Sequence, residues 1–168
     1  MDKPVLAAVD GVAAGGGFEI ALACDIVIAT RRSRFGLPEP LVGVIALGSG
    51  LHRLARQIGL KQAMGLILTG DLVDATEAYR LGFVTALVDD DSLEAEIEQW
   101  CKRVLRCAPL AIRASKQTVM RGLDEPTLEA ALRAQKHYPA FETWYASDER
   151  REGPQAFSVK RRPNWQTN

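Results

Sequence analysis

Cysteine is scarce in this chain. Cys24, Cys101 and Cys107 are the only three in 168 residues, too few and too odd in number for a disulfide framework. They read as reduced thiols of a cytoplasmic protein. Histidine is scarcer still: His52 and His137 stand far apart, and the cysteine spacing is not that of metal ligands, so no metal site is expected. Net charge is missing altogether, because 21 Lys and Arg balance 21 Asp and Glu. A dedicated nucleic-acid binder would be strongly basic, so nucleic acid is not expected as a partner. No apolar run approaches the roughly 20 residues of a membrane span. The start, Met1-Asp2-Lys3-Pro4, lacks the apolar centre of a signal peptide. Fixed-period repeats and low-complexity linkers are absent as well.

What is present is an ordinary globular composition, 47% apolar and 25% charged. The length is that of one domain. Val5–Val9 reads as a buried strand. Nothing precedes it to pair with it, so the chain opens as though in the middle of a sheet. Asp10-Gly11 is a turn signal. Gly15-Gly16-Gly17 feeds a short helix over 18–24, which has no polar face and is expected to be buried all round. Residues 25–29 form a second strand, and 34–37 a short extended piece ended by Pro38. A glycine-punctuated loop follows to Gly50. Helices are expected over 51–58 and 61–68. Asp74 is placed to N-cap a helix over 75–81 that Gly82 closes. Residues 83–88 make a strand. Helices then run from Ser92 to about 106, from Pro109 at its first position to about 121, and from Pro126 to about 138. Gly153-Pro154 and Arg162-Pro163 break a charged tail. The architecture implied is α/β, with residues 1–90 as an α/β core and 91–168 as a helical portion.

Four features could carry chemistry. Gly15-Gly16-Gly17 before a helix exposes backbone N–H groups at the positive end of the helix dipole, which suits a phosphate or a developing oxyanion. Neither the G-x-G-x-x-G nor the P-loop spacing is present, and a tight turn for close packing explains the glycines as well. Glu19 lies among Phe, Ile, Ala and Leu, where a carboxylate is costly unless paired or functional. It serves either acid–base chemistry or a buried ion pair with Arg31, Arg32 or Arg34. Glu39 is held between Pro38 and Pro40 and is the only acid between Arg31 and Gln62. A helix, a strand and a turn separate it from Glu19, enough chain to return, so the two carboxylates can face one another and share acid and base roles. A solvated turn glutamate is the alternative. Arg31, Arg32, Arg34, Arg53, Arg56 and Lys61 suit an anionic ligand or a solvated face balancing the acids at 89–98.

The segment from Lys3 to Asp25, with Val9-Asp10-Gly11 and Ala14-Gly15-Gly16-Gly17-Phe18-Glu19 at its centre, resembles the signature of the enoyl-CoA hydratase/isomerase (crotonase) superfamily. The resemblance continues through Phe35-Gly36-Leu37-Pro38-Glu39, Gly43-Val44-Ile45, Leu68-Thr69-Gly70 and Ala75-Thr76-Glu77-Ala78. It reaches Ala108-Pro109-Leu110 and Glu152-Gly153-Pro154-Gln155-Ala156-Phe157. With His137-Tyr138-Pro139, the tail is most similar to the carnitinyl-CoA dehydratase branch. The resemblance implies a crotonase-like spiral of β-β-α units, with the first third of the family's fold missing at the N-terminus. It implies a lyase that adds water reversibly to the α,β double bond of an acyl-CoA thioester. Glu19 and Glu39 would be the catalytic pair, Gly16 N–H an oxyanion donor, and Gly15, Gly17, Leu37 and Pro38 substrate-binding residues. Glu19 would activate the water at Cβ and Glu39 would supply the proton at Cα. Coenzyme A would enter only as the thioester carrier, with no other cofactor. The family's missing part would hold the second oxyanion donor and much of the coenzyme A cradle. The resemblance implies a homotrimer or hexamer, and the helical portion from Ser92 onward is consistent with that. An isomerase of the same fold, or an inactive remnant that only binds coenzyme A, remains as the alternative. The chain departs from the family at Asp10, at Ala46, and at Ser49-Gly50-Leu51-His52-Arg53-Leu54, where Gly-Gly-Thr-Gln-Arg-Leu is usual.

Overall fold

The computed structural model describes residues 1–165. The chain forms two compact units. One spans Val5–Trp100; the other joins Met1–Pro4 to the residues from Cys101 onward.

The first unit is built from strand pairs that turn into helices. Strand β1 (Leu6–Val9) and β2 (Val12–Ala14) lead into helix α1 (Gly16–Ala23). Strand β3 (Ile26–Thr30) and β4 (Arg34–Gly36) lead into a 3-10 turn over Glu39–Val42 and helices α2 (Gly50–Gln57) and α3 (Leu60–Thr69). Then come β5 (Val73–Asp74), α4 (Ala75–Leu81) and β6 (Ala86–Val88). The strands segregate into two sheets. One is parallel throughout, in the order β1-β3-β6; the other is β2-β4-β5, with β5 antiparallel. Successive windings add one strand to each sheet, which makes the spiral. Strand β2 escapes the sequence reading because three residues beside a turn are too few to show alternation. The strand expected over 83–88 is shorter, since Phe83 and Val84 pack into the core ahead of β6.

Three rings from three segments meet in that core. Phe18, Phe35 and Phe83 are buried, with centroids 5.7, 5.0 and 5.5 Å apart in tilted or edge-on pairs. Helix α1 is not buried all round: Phe18, Glu19, Ala21 and Leu22 face inward, whereas Ile20 is 70% exposed. The corner between β1 and β2 is tied by polar groups. Thr30 and Arg32 donate to Asp10 (3.0 and 2.6 Å), and the Arg32 guanidinium beside Asp10 holds its carboxyl below the usual range.

Helix α5 (Leu93–Leu105) opens with acids and closes with Lys102 and Arg103, as its dipole favours. The second unit holds α6 (Pro109–Gly122), α7 (Leu128–Ala134), a 3-10 turn, α8 (Pro139–Ala146) and α9 (Glu149–Ser158). Two expectations are corrected here. Helix α7 starts after Thr127, whose hydroxyl accepts the Ala130 N–H, rather than at Pro126. Helix α9 runs straight through Gly153-Pro154. Its ends are anchored strongly enough to tolerate the lost backbone bond: Glu149 accepts the Leu110 N–H, Ala156 is fully buried, and Glu152 binds Arg161 and the Asn164 N–H. No helix among the described residues is long and apolar enough to cross a membrane.

Candidate active site

The site begins with a glycine that no other residue can replace cheaply. Gly15 has φ 54° and ψ −127°, a conformation that a Cβ disfavours. Its N–H donates to the Gly36 carbonyl (3.0 Å), pinning the turn to the end of β4. Its carbonyl accepts the Glu19 N–H (3.0 Å), starting α1. A Cβ on Gly15 would also stand 3.0 Å from Glu39 Oε1. One glycine therefore lies one helical turn before the first carboxylate and directly beside the second. Gly16 and Gly17 face open space. Their N–H groups belong to the first turn of α1, which offers them no intrahelical acceptor, and Gly15 brings no side chain to cap them.

Glu19 is 7% exposed. The three arginines weighed as its partners are engaged elsewhere: Arg31 with Asp89 (2.7 Å), Arg32 with Asp10, and Arg34 with the Leu72 carbonyl. The basic stretch is in this way partly balanced by nearby acids. Glu19 instead takes a backbone donor. The Gly50 N–H, first in α2, reaches Glu19 Oε1 at 2.7 Å. Two glycines make room for it. A Cβ on Gly48 would fall 2.6 Å from Glu19 Oε2, and one on Gly50 would fall 2.7 Å from Glu19 Cγ. A charge-assisted bond at the positive end of a helix replaces the water that burial removes.

Glu39 opens the 3-10 turn that Pro38 precedes. Its Oε2 is buried and has no hydrogen-bond partner among the described residues. It lines a cavity of about 180 Å³ whose other walls are apolar: Leu37, Pro40, Ile45, Ala46, Leu51, Ile67 and Leu68. A buried carboxylate oxygen without a protein partner on an apolar cavity is costly unless something polar docks there. Among the described residues no group of three or more metal-binding side chains gathers.

The Gly15 turn thus has Glu39 beside it and Glu19 one helical turn after it, while Gly16 faces open space. Leu37 lines the cavity. The Gly48 and Gly50 cradle escaped the sequence reading. Its only trace there is the Gly48-Ser49-Gly50 run before the helix.

The enoyl-CoA hydratase/isomerase family model matches residues 1–168. A carnitinyl-CoA dehydratase of Citrobacter koseri is 38% identical over 170 residues, covering 98% of this chain and 64% of its own length. A probable enoyl-CoA hydratase of Rhizobium meliloti is 40% identical, covering 95% of this chain and 61% of its own length. The crystal structure of an enoyl-CoA hydratase subunit from Geobacillus kaustophilus superposes with a TM-score of 0.91 at 36% identity, covering 99% of this chain and 64% of that one. The chain therefore spans less than two thirds of the length of the relatives it matches. Its spiral of strand pairs, its glycine turn and its matched sequence agree, and the chain belongs to the enoyl-CoA hydratase/isomerase family.

Proposed function

We propose that the protein is an enoyl-CoA hydratase-type lyase, adding water reversibly to the α,β double bond of an acyl-CoA thioester. What supports this reading is a pair of carboxylates, Glu19 clamped by a backbone N–H and Glu39 beside Gly15 with an unpartnered oxygen on an apolar cavity. The thioester oxygen would sit at the open Gly16 N–H, where negative charge develops as the enolate forms. Water would lie between the two carboxylates. Glu19 takes a proton from it as the new C–O bond forms at Cβ. Glu39, starting protonated, delivers its proton to Cα. The proton gained by Glu19 and the one lost by Glu39 then exchange back through solvent. The cavity beside Glu39 would take the apolar acyl chain. Coenzyme A serves only as the carrier, and three cysteines outside any disulfide support a reducing, cytoplasmic setting.

The test is a 2-enoyl-CoA such as crotonyl-CoA, followed by loss of its conjugated ultraviolet absorbance. Glu19→Gln and Glu39→Gln should each slow hydration by about 10²–10⁴-fold. Undiminished turnover in either variant removes this mechanism. Turnover of a 3-enoyl-CoA to its conjugated isomer, with no hydration, would favour the isomerase instead.

A further inference from the structure

We infer that Ser49 and Arg53 are positioning residues for Glu19, acting through the peptide that joins Ser49 to Gly50. The inference deepens the hydratase reading and rests on it only for its kinetic consequences. Ser49 stands where the resembled family has glycine, and it needs what glycine supplies. Its φ is 82° and its ψ 2°, in the left-handed region that a side chain disfavours. Serine is a favoured N-cap because its hydroxyl accepts an N–H of the helix it precedes, from an extended backbone. Ser49 precedes α2 but makes no such bond.

Its hydroxyl turns to Arg53 instead. Ser49 Oγ accepts from Arg53 Nε at 2.9 Å, and the Ser49 carbonyl accepts the Arg53 N–H, also at 2.9 Å. Two bonds from one residue, one turn along the helix, fix the side chain and the carbonyl of Ser49 together. That fixes the plane of the following peptide. The N–H of that peptide is the one that reaches Glu19 Oε1. Rotation about it would withdraw the donor from a carboxylate with little access to solvent, and would swing Gly48 and Gly50 against the Glu19 side chain they closely face. The latch therefore sets where the Glu19 oxygens point, without touching substrate itself.

The experiment uses the full chain with Ser49→Ala, Arg53→Ala and the double variant. Alanine shares the left-handed penalty, so Ser49→Ala isolates the hydroxyl. Gly50 amide exchange, read by NMR, should lose about tenfold in protection in each single variant. The double variant should lose no more than the worse single, because one bond is shared. With a 2-enoyl-CoA, kcat per folded enzyme, the folded fraction being read by near-ultraviolet circular dichroism, should fall by about tenfold while KM holds; a general loss of stability lowers the folded fraction and leaves that ratio unchanged. Wild-type Gly50 protection in Ser49→Ala, or additive losses in the double variant, overturns the latch. Lost protection with unchanged kcat overturns its catalytic role. A wild-type chain that hydrates nothing counts against the hydratase reading, while the amide measurement still decides the latch.

Discussion

At the scale of single residues, the site depends on positions that tolerate no side chain. Gly15→Ala would force a Cβ into a backbone region reserved for glycine and toward Glu39 Oε1. A cost of about 1–3 kcal/mol is expected, read as a lower urea midpoint with unchanged slope. Both glutamates are legible from the sequence, because a lone acid in an apolar helix and a lone acid between prolines stand out against their neighbours. The groups that hold Glu19 are not. A backbone N–H thirty-one positions away has no residue type to announce it, and Gly48 and Gly50 look like any loop glycines until the carboxylate is seen beside them. The alternative of a buried ion pair with an arginine fails for a related reason: Arg31, Arg32 and Arg34 each engage another acceptor.

At the scale of elements, the parts that announce themselves carry local signals. Asp74 accepts the Glu77 N–H (2.8 Å) and Gly82 closes α4 at φ 98°, as the sequence implies. Asp74→Ala should cost about 1 kcal/mol, visible as a few degrees in Tm. Helix α9 shows the opposite case. Gly153-Pro154 reads as a break, but tertiary anchors override it, and such anchors cannot be read from local sequence. One of them titrates. Glu152 is held down to about 2 by the Arg161 guanidinium and then by the Asn164 N–H. Its folded value lies below the unfolded 4.5, so its contribution is complete above that value and fades as pH falls toward 2. Amide protection at the end of α9 should therefore decline from pH 5 to pH 2. Glu152→Gln should weaken it at neutral pH and flatten that decline.

At the scale of the molecule, composition bounds the class, and the spiral itself is visible only through resemblance, because strands of two to five residues carry little periodicity. The helical unit leaves Leu123, Leu128, Leu132 and Phe157 exposed, the last at 86%. Exposed apolar side chains of this kind mark interaction surfaces, and light scattering across a range of protein concentration measures whether they join copies of the chain; a monomer throughout would count against it. The ring cluster has a further consequence. Phe18 adjoins Glu19 in α1, Phe35 lies four residues before Glu39, and Phe83 locks both from a third segment. The segments that carry the two carboxylates are thereby packed into one cluster. On the hydratase reading, heat should extinguish turnover and the near-ultraviolet signal of the rings at a single temperature, with no range in which a folded protein has merely gone quiet.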